Sequence, residues 1–208
     1  MTRQIALLRA INLGSRRRVA MGDLRDLLTS LGYGDVRTLL QSGNVVLTSI
    51  RSGKTLEREL ERELSARFAI DIEVLVRTRA QLAAVIERNP LADLADDPKR
   101  YHVTFLSAKP DATRERELAE LDVAPEQFVV SGREIYAWHP DGLQRSRLAA
   151  ALSDSKLGVT GTSRNWNTIT KLSRWPTTEH MRRRSASLAC ARCPAAARSS
   201  VGDCARAT

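Results

Sequence analysis

Arginine, asparagine and glycine cluster at the ends of two apolar runs, and they are the residues of this chain best suited to chemistry. Ile5-Ala6-Leu7-Leu8 is followed by Arg9, Asn12 and Gly14, then by Arg16, Arg17 and Arg18, ahead of a helical pattern starting near Met21. A second cluster, Gln41-Ser42-Gly43-Asn44, stands just before Val45-Val46-Leu47. Guanidinium groups, amides of glycine turns and a helix N-terminus all hold anions, most simply a phosphate or carboxylate. In a third cluster, Thr162-Ser163-Arg164-Asn165 precedes apolar Ile169 and Leu172. There Thr162 is expected to cap a helix over 162–172 and to place Arg164 and Asn165 in its first turn. Each cluster also has a plainer use. Gly43-Asn44 is a common hairpin turn, Arg16 to Arg18 suits a solvated loop, and Arg164, Asn165 and Trp166 would dock one part of the chain on another through buried hydrogen bonds.

Catalytic patterns are scarce. No cysteine lies in residues 1–172, and His102 and His139 have no His or carboxylate at metal-ligand spacing. Ser42 and Ser146 stand outside any Gly-x-Ser-x-Gly elbow, and the chain has neither a Walker A sequence nor Gly-x-Gly-x-x-Gly. Asp23, Asp26, Glu57 and Glu59 fit solvated helix faces. No cofactor and no metal are expected.

The elements that must position these residues follow from periodicity. The first apolar run is short and nearly continuous, as in a strand buried on both faces. Leu24, Leu27, Leu28 and Leu31 then keep helical spacing up to Gly32. Strands are expected over 36–40, 45–47 and 72–76, with an amphipathic helix carrying Leu56, Leu60, Leu64 and Phe68 between the last two. Thr78 with Gln81 forms a capping box for a helix ended by Asn89-Pro90. The order β-α-β-β-α-β is a ferredoxin-like unit with an extra helix, over residues 1–92. After a linker at 93–98 the pattern returns over 99–172 as a strand at 101–106, a charged helix at 113–121, a hairpin across Ser131-Gly132 and a helix from Leu148. This second half is expected to be incomplete, its last strand missing or replaced. The predicted fold is α+β, two ferredoxin-like (split βαβ) halves packed together, since strands apolar on both faces need a second layer.

In this topology the first and third strands are antiparallel neighbours. Arg9 and Asn12 should therefore lie beside Ser42, Gly43 and Asn44, with Arg16 to Arg18 on the same rim.

At the level of whole blocks the sequence resembles a bacterial family catalogued as domain of unknown function 1697. The blocks are Leu7-Leu8-Arg9-Ala10-Ile11-Asn12-Leu13-Gly14, Val36-Arg37-Thr38-Leu39-Leu40-Gln41-Ser42-Gly43-Asn44-Val45-Val46, Gly142-Leu143-Gln144-Arg145-Ser146-Arg147-Leu148 and Gly161-Thr162-Ser163-Arg164-Asn165-Trp166-Asn167-Thr168. Ala10 stands where Gly is expected and Arg147 where Lys is expected. The resemblance implies a fold and a functional surface to which Ser146 and Arg147 belong. It implies no activity.

Charge narrows the partners. The chain carries a net +9, but the seven arginines from Ser173 onward, against Glu179 and Asp203, supply +5 and leave +4 for residues 1–172. The folded part is thus only mildly basic, and the loss of pattern after Leu172 reads as a disordered basic tail over 173–208 or a frame-shifted end of the gene. Cys190, Cys193 and Cys204 with His180 suit zinc by type alone, because a single Cys-x-x-Cys lacks its second pair. Aromatics are 4% of the residues and absent from the first and third strands, which removes the base-stacking surface of RNA-recognition modules. Nucleic acid would bind only non-specifically, through phosphates. With no apolar run long enough to span a bilayer, a cytoplasmic protein is expected. Three readings stay open: a binding or regulatory module for an anionic small molecule; a small-molecule enzyme using Arg9, Asn44, Arg164 and Asn165 between the halves; and a purely structural role for those residues. The oligomeric state is not legible.

Overall fold

A computed structural model describes residues 1–12 and 18–175, and Met1–Trp175 form one compact unit. The first half runs β1 (Thr2–Leu8), α1 (Met21–Ser30), β2 (Gly34–Leu39), β3 (Asn44–Ser49), α2 (Gly53–Phe68), β4 (Val74–Thr78) and α3 (Arg79–Arg88). The second runs β5 (Tyr101–Leu106), α4 (Ala112–Ala119), β6 (Gln127–Ser131), β7 (Glu134–Trp138), α5 (Arg147–Ala151), α6 (Asp154–Leu157), β8 (Gly161–Asn165) and α7 (Trp166–Ser173). Each half forms a four-stranded antiparallel sheet, ordered β2-β3-β1-β4 and β6-β7-β5-β8. The fold is α+β, two ferredoxin-like halves.

The alternation of β1 divides two cores. Ala6 and Leu8 pack with Leu24 and Leu28 of α1 and with Leu56, Leu60 and Leu64 of α2. Ile5 and Leu7 point the other way and meet Tyr101, Val103 and Phe105 of β5, with Leu82 and Val85 of α3 and Ile169 and Leu172 of α7 in the same cluster. Each leucine, isoleucine, valine or phenylalanine among them taken out of water contributes about 1.5–3 kcal/mol. Both faces of β1 are therefore occupied, and neither remains open for stacking bases.

The second half is complete, contrary to the expectation of a missing strand. Residues 161–165 form β8, paired antiparallel with β5, and α7 begins only at Trp166. Alternating burial, with Thr162 and Arg164 in and Ser163 out, is a strand pattern that the short polar run concealed. Asn165, not Thr162, caps α7, its Oδ1 accepting from the Thr168 amide at 3.0 Å. The helix extends through Ser173, and the Trp175 carbonyl accepts from Arg3 at 3.0 Å, so the folded chain passes the predicted boundary at 172. The tail reading and the three cysteines otherwise lie outside the described residues.

The outer edge of β4 is closed by side chains. Glu61 and Glu57, one turn apart on α2, accept from the Val74 and Val76 amides at 3.0 and 2.8 Å. The Gln81 side chain takes the Thr78 amide at 2.8 Å, completing the predicted capping box. Unpaired edge amides invite another strand, and here the side chains of α2 and α3 satisfy them.

Candidate functional site

The hydrogen-bond registers of the two halves superpose residue on residue. The Leu8 amide donates to Gly43 as Leu106 does to Arg133, and the Arg9 amide donates to Glu73 as Ser107 does to Thr160. By the same registers Arg77 matches Arg164, Thr78 matches Asn165 and Asn44 matches Glu134. Each arginine crosses to the other half. Arg77 donates through Nη2 to the Leu106 carbonyl and Arg164 through Nη2 to the Leu8 carbonyl, both at 2.7 Å. Each also folds back through Nη1 onto its own strand, Arg77 to the Val76 carbonyl and Arg164 to that of Ser163.

Arg164 gathers Ser42, Asn44 and Thr162 of the predicted site. Its Nε donates to Asn44 Oδ1 at 2.5 Å, Nη1 to Thr162 Oγ1 at 2.7 Å and Nη2 also to the Ser42 carbonyl at 3.1 Å. Asn44 in turn donates to the Leu39 carbonyl and the Ser42 hydroxyl, both at 3.0 Å. All five guanidinium N–H groups thus have acceptors, and every acceptor is a neutral oxygen. Burial without a counter-charge pushes the pKa of Arg164 down to about 10. A guanidinium with its donors all engaged positions backbone; it does not reach for a ligand.

Arg9 is engaged as well. Its Nε donates to the Gly161 carbonyl at 3.0 Å, while its two terminal nitrogens pair with Glu73 and Asp154. It ties the end of β1 to α6 and β8 of the other half. Gly43 serves packing. A Cβ there would stand 2.7 Å from Leu8 Cβ and 2.8 Å from Ile11 Cδ1, and its φ of +72° suits glycine.

The remaining rim residues surround an opening. Asn12, with φ of +57°, donates to the Val19 and Gln41 carbonyls at 3.0 and 2.7 Å and accepts from the Val19 amide at 2.8 Å. One side chain thus joins the loop after β1, the entry to α1 and the turn before β3. Beside it lies an open cavity of about 400 Å³ lined by Asn12, Arg18, Val19, Ala20 and Gln41. The N-cap of α1 is Ala20, which has no side chain to cap the first turn. Gly14, Arg16 and Arg17 lie outside the described residues.

Residues 1–136 match the family described as proteins of unknown function, DUF1697. The chain belongs to that family. The match takes in Arg9, Asn12 and Gln41 to Asn44, whereas Ser146, Arg147, Thr162, Arg164 and Asn165 lie beyond it. The structure is similar to that of the conserved bacterial protein SP0830 from Streptococcus pneumoniae, with a TM-score of 0.68 and 23% sequence identity over 83% of this chain and 97% of that one. At that identity the likeness establishes the fold. A comparison with curated proteins finds no match.

Ser146 and Arg147 stand apart from the residues gathered by Arg164 in this DUF1697 chain. Arg147 donates to the Asp122 carbonyl at 3.3 Å. Ser146 caps α5, accepting from the Ala149 amide at 2.7 Å, and lies 2.8 Å from Nδ1 of buried His139. Glu126 Oε1 lies 2.9 Å from the same Nδ1, and its Oε2 accepts from the Leu148 amide at 2.8 Å. Burial pushes the Glu126 carboxyl up, but the contacts from Ser146, His139 and the Leu148 amide outweigh it and hold its pKa below the ordinary value. Serine, histidine and carboxylate together suggest a nucleophile. A relay, however, needs serine on one ring nitrogen and carboxylate on the other, and here both face Nδ1. The trio fastens the start of α5. Sequence reasoning missed it because Glu126 and His139 are joined only through the β6–β7 hairpin. Among the described residues no group of three or more His, Cys, Asp or Glu is placed to hold a metal ion, and no helix is long and apolar enough to cross a membrane.

Proposed function

We propose that this DUF1697 protein is a cytoplasmic binding module whose ligand is a small molecule bearing a phosphate or carboxylate, held at the N-terminus of α1. The N-cap of α1, Ala20, which makes no side-chain cap and lines the cavity beside exposed Arg18, carries this reading. The amides of a helix N-terminus and a guanidinium are complementary to an anion, and the partial charge of a helix N-terminus adds about 0.3–1 kcal/mol at an exposed site. Asn12 and Gln41 form the opposite wall, and Gly14, Arg16 and Arg17 are the further candidates on the connecting segment. An enzyme site between the halves is less favoured, because Arg9, Asn44, Arg164 and Asn165 would have to abandon their present partners to orient a substrate.

Thermal denaturation of the full chain against pyrophosphate, a sugar phosphate, a nucleotide and a dicarboxylate tests the proposal. A ligand at one hundred times its Kd stabilises by about 2.7 kcal/mol and raises the midpoint dose-dependently. That rise should vanish in Arg18→Ala and shrink in Gln41→Ala, both exposed positions whose loss leaves the fold intact. No shift with any of the four would overturn it.

A further inference from the structure

The matching registers also equate two places that the chain treats differently. Where β8 begins, Arg9 fills the notch: its guanidinium meets the Gly161 carbonyl, Asp154 and Glu73. Asp154 itself takes the Gly161 amide at 3.0 Å. Where β4 begins, the same parts recur. Val74 replaces Gly161, Glu61 takes the Val74 amide at the same 3.0 Å, and Thr160 stands for Glu73, to which its hydroxyl donates at 3.1 Å. The residue matching Arg9 is Ser107. Its short side chain leaves the notch unfilled, as a cleft of about 270 Å³ whose walls include Glu61, Glu73, Val74, Ser107 and Thr160.

We propose that this cleft binds a small molecule through a guanidinium or primary ammonium group, seated as Arg9 is seated in the matching notch. The Val74 carbonyl takes the part of the Gly161 carbonyl, and Glu61 the part of Asp154. Among the charged walls Lys54 is already paired with Glu57 at 2.9 Å and Glu73 with Arg9, so Glu61 is the carboxylate that would meet the ligand's cation, beside exposed Arg58. This site is separate from the anion cavity at α1, which shares none of its lining residues.

Titration of the full-length protein with agmatine, followed by amide NMR shifts and calorimetry, tests the assignment. Saturable binding is expected, with the largest shifts at Val74, Ser107 and Thr160. Glu61→Gln keeps an acceptor for the Val74 amide but removes the charge, and should weaken binding at least tenfold. Ser107→Arg plants in the chain the group that the ligand would supply, and should raise the melting temperature while abolishing agmatine binding. No binding by the unaltered protein at millimolar agmatine would overturn the proposal, as would binding that Glu61→Gln leaves unchanged. The Glu61→Gln result decides even if Ser107→Arg fails to fold.

Discussion

Asn44 and Glu134 occupy one position in the two halves, each facing the arginine sent across by the other, and only Glu134 carries a charge. Arg77 lies 3.6 Å from the Glu134 carboxylate, whereas Arg164 meets the Asn44 amide oxygen. The two crossings therefore differ in kind. One is a buried ion pair shared with Arg88, and the other a buried cation held only by dipoles. A charge buried among dipoles depends on every one of them, because no single strong partner remains when one is lost.

Arg164→Lys should consequently be costly although it preserves charge. Lysine offers three donors on a point charge where five are used in a planar fork, and the Leu8 and Ser42 carbonyls lose their partner. The expected loss is about 3 kcal/mol, at the lower end for breaking a buried charged network, and urea denaturation would register it as a lower midpoint at unchanged m-value. A change within 0.5 kcal/mol would show that the crossing bears little of the fold.

Gly43→Ala should destabilise by about 3 kcal/mol, joining the left-handed backbone penalty to an overpacked contact with Leu8 and Ile11. The same denaturation experiment measures it. A neutral outcome would mean that β1 can shift away from the turn.

Ala10→Gly should act in the opposite direction. Ala10 has a φ of +51°, a conformation that glycine adopts without the steric cost an L side chain meets. A gain of about 1 kcal/mol is expected, read as a higher midpoint.

Acid should loosen the second half through Glu126. Its folded pKa lies below the ordinary 4.5, so its stabilising contribution is fully present above that value and disappears as the pH falls through the lower folded value. Stability profiles of the unaltered protein and Glu126→Gln should therefore converge toward low pH and separate above it. Parallel profiles from pH 6 to pH 2, taken here as roughly the span of carboxylate titration, would contradict that assignment.

Much of this could be seen in the sequence, and the exceptions have physical causes. The two-faced apolar run at Ile5 announced both cores, and Thr78 with Gln81 announced the start of α3, because both signals are local. The strand at Gly161 did not announce itself. Its inward residues are Thr162 and Arg164, which bond to each other while Arg164 also reaches Asn44 and the Leu8 and Ser42 carbonyls of the other half, so hydropathy shows no alternation. The first and third strands did bring Asn12, Ser42, Gly43 and Asn44 to one end of the sheet. What no single sequence displays is that Arg164 has already consumed Asn44 and the Ser42 carbonyl, since that depends on how the second half docks.

The crossed arginines also say what a single half would be. Two identical chains of one half, meeting as these halves meet, would form an isologous dimer in which every contact occurs twice and any change at one place is imposed on both. Joining the copies in one polypeptide removes that constraint. Asn can then stand opposite Glu, and Ser opposite Arg, at places that still share a register. Such a chain can reserve one copy of a contact for holding itself together and leave the other vacant for a guest.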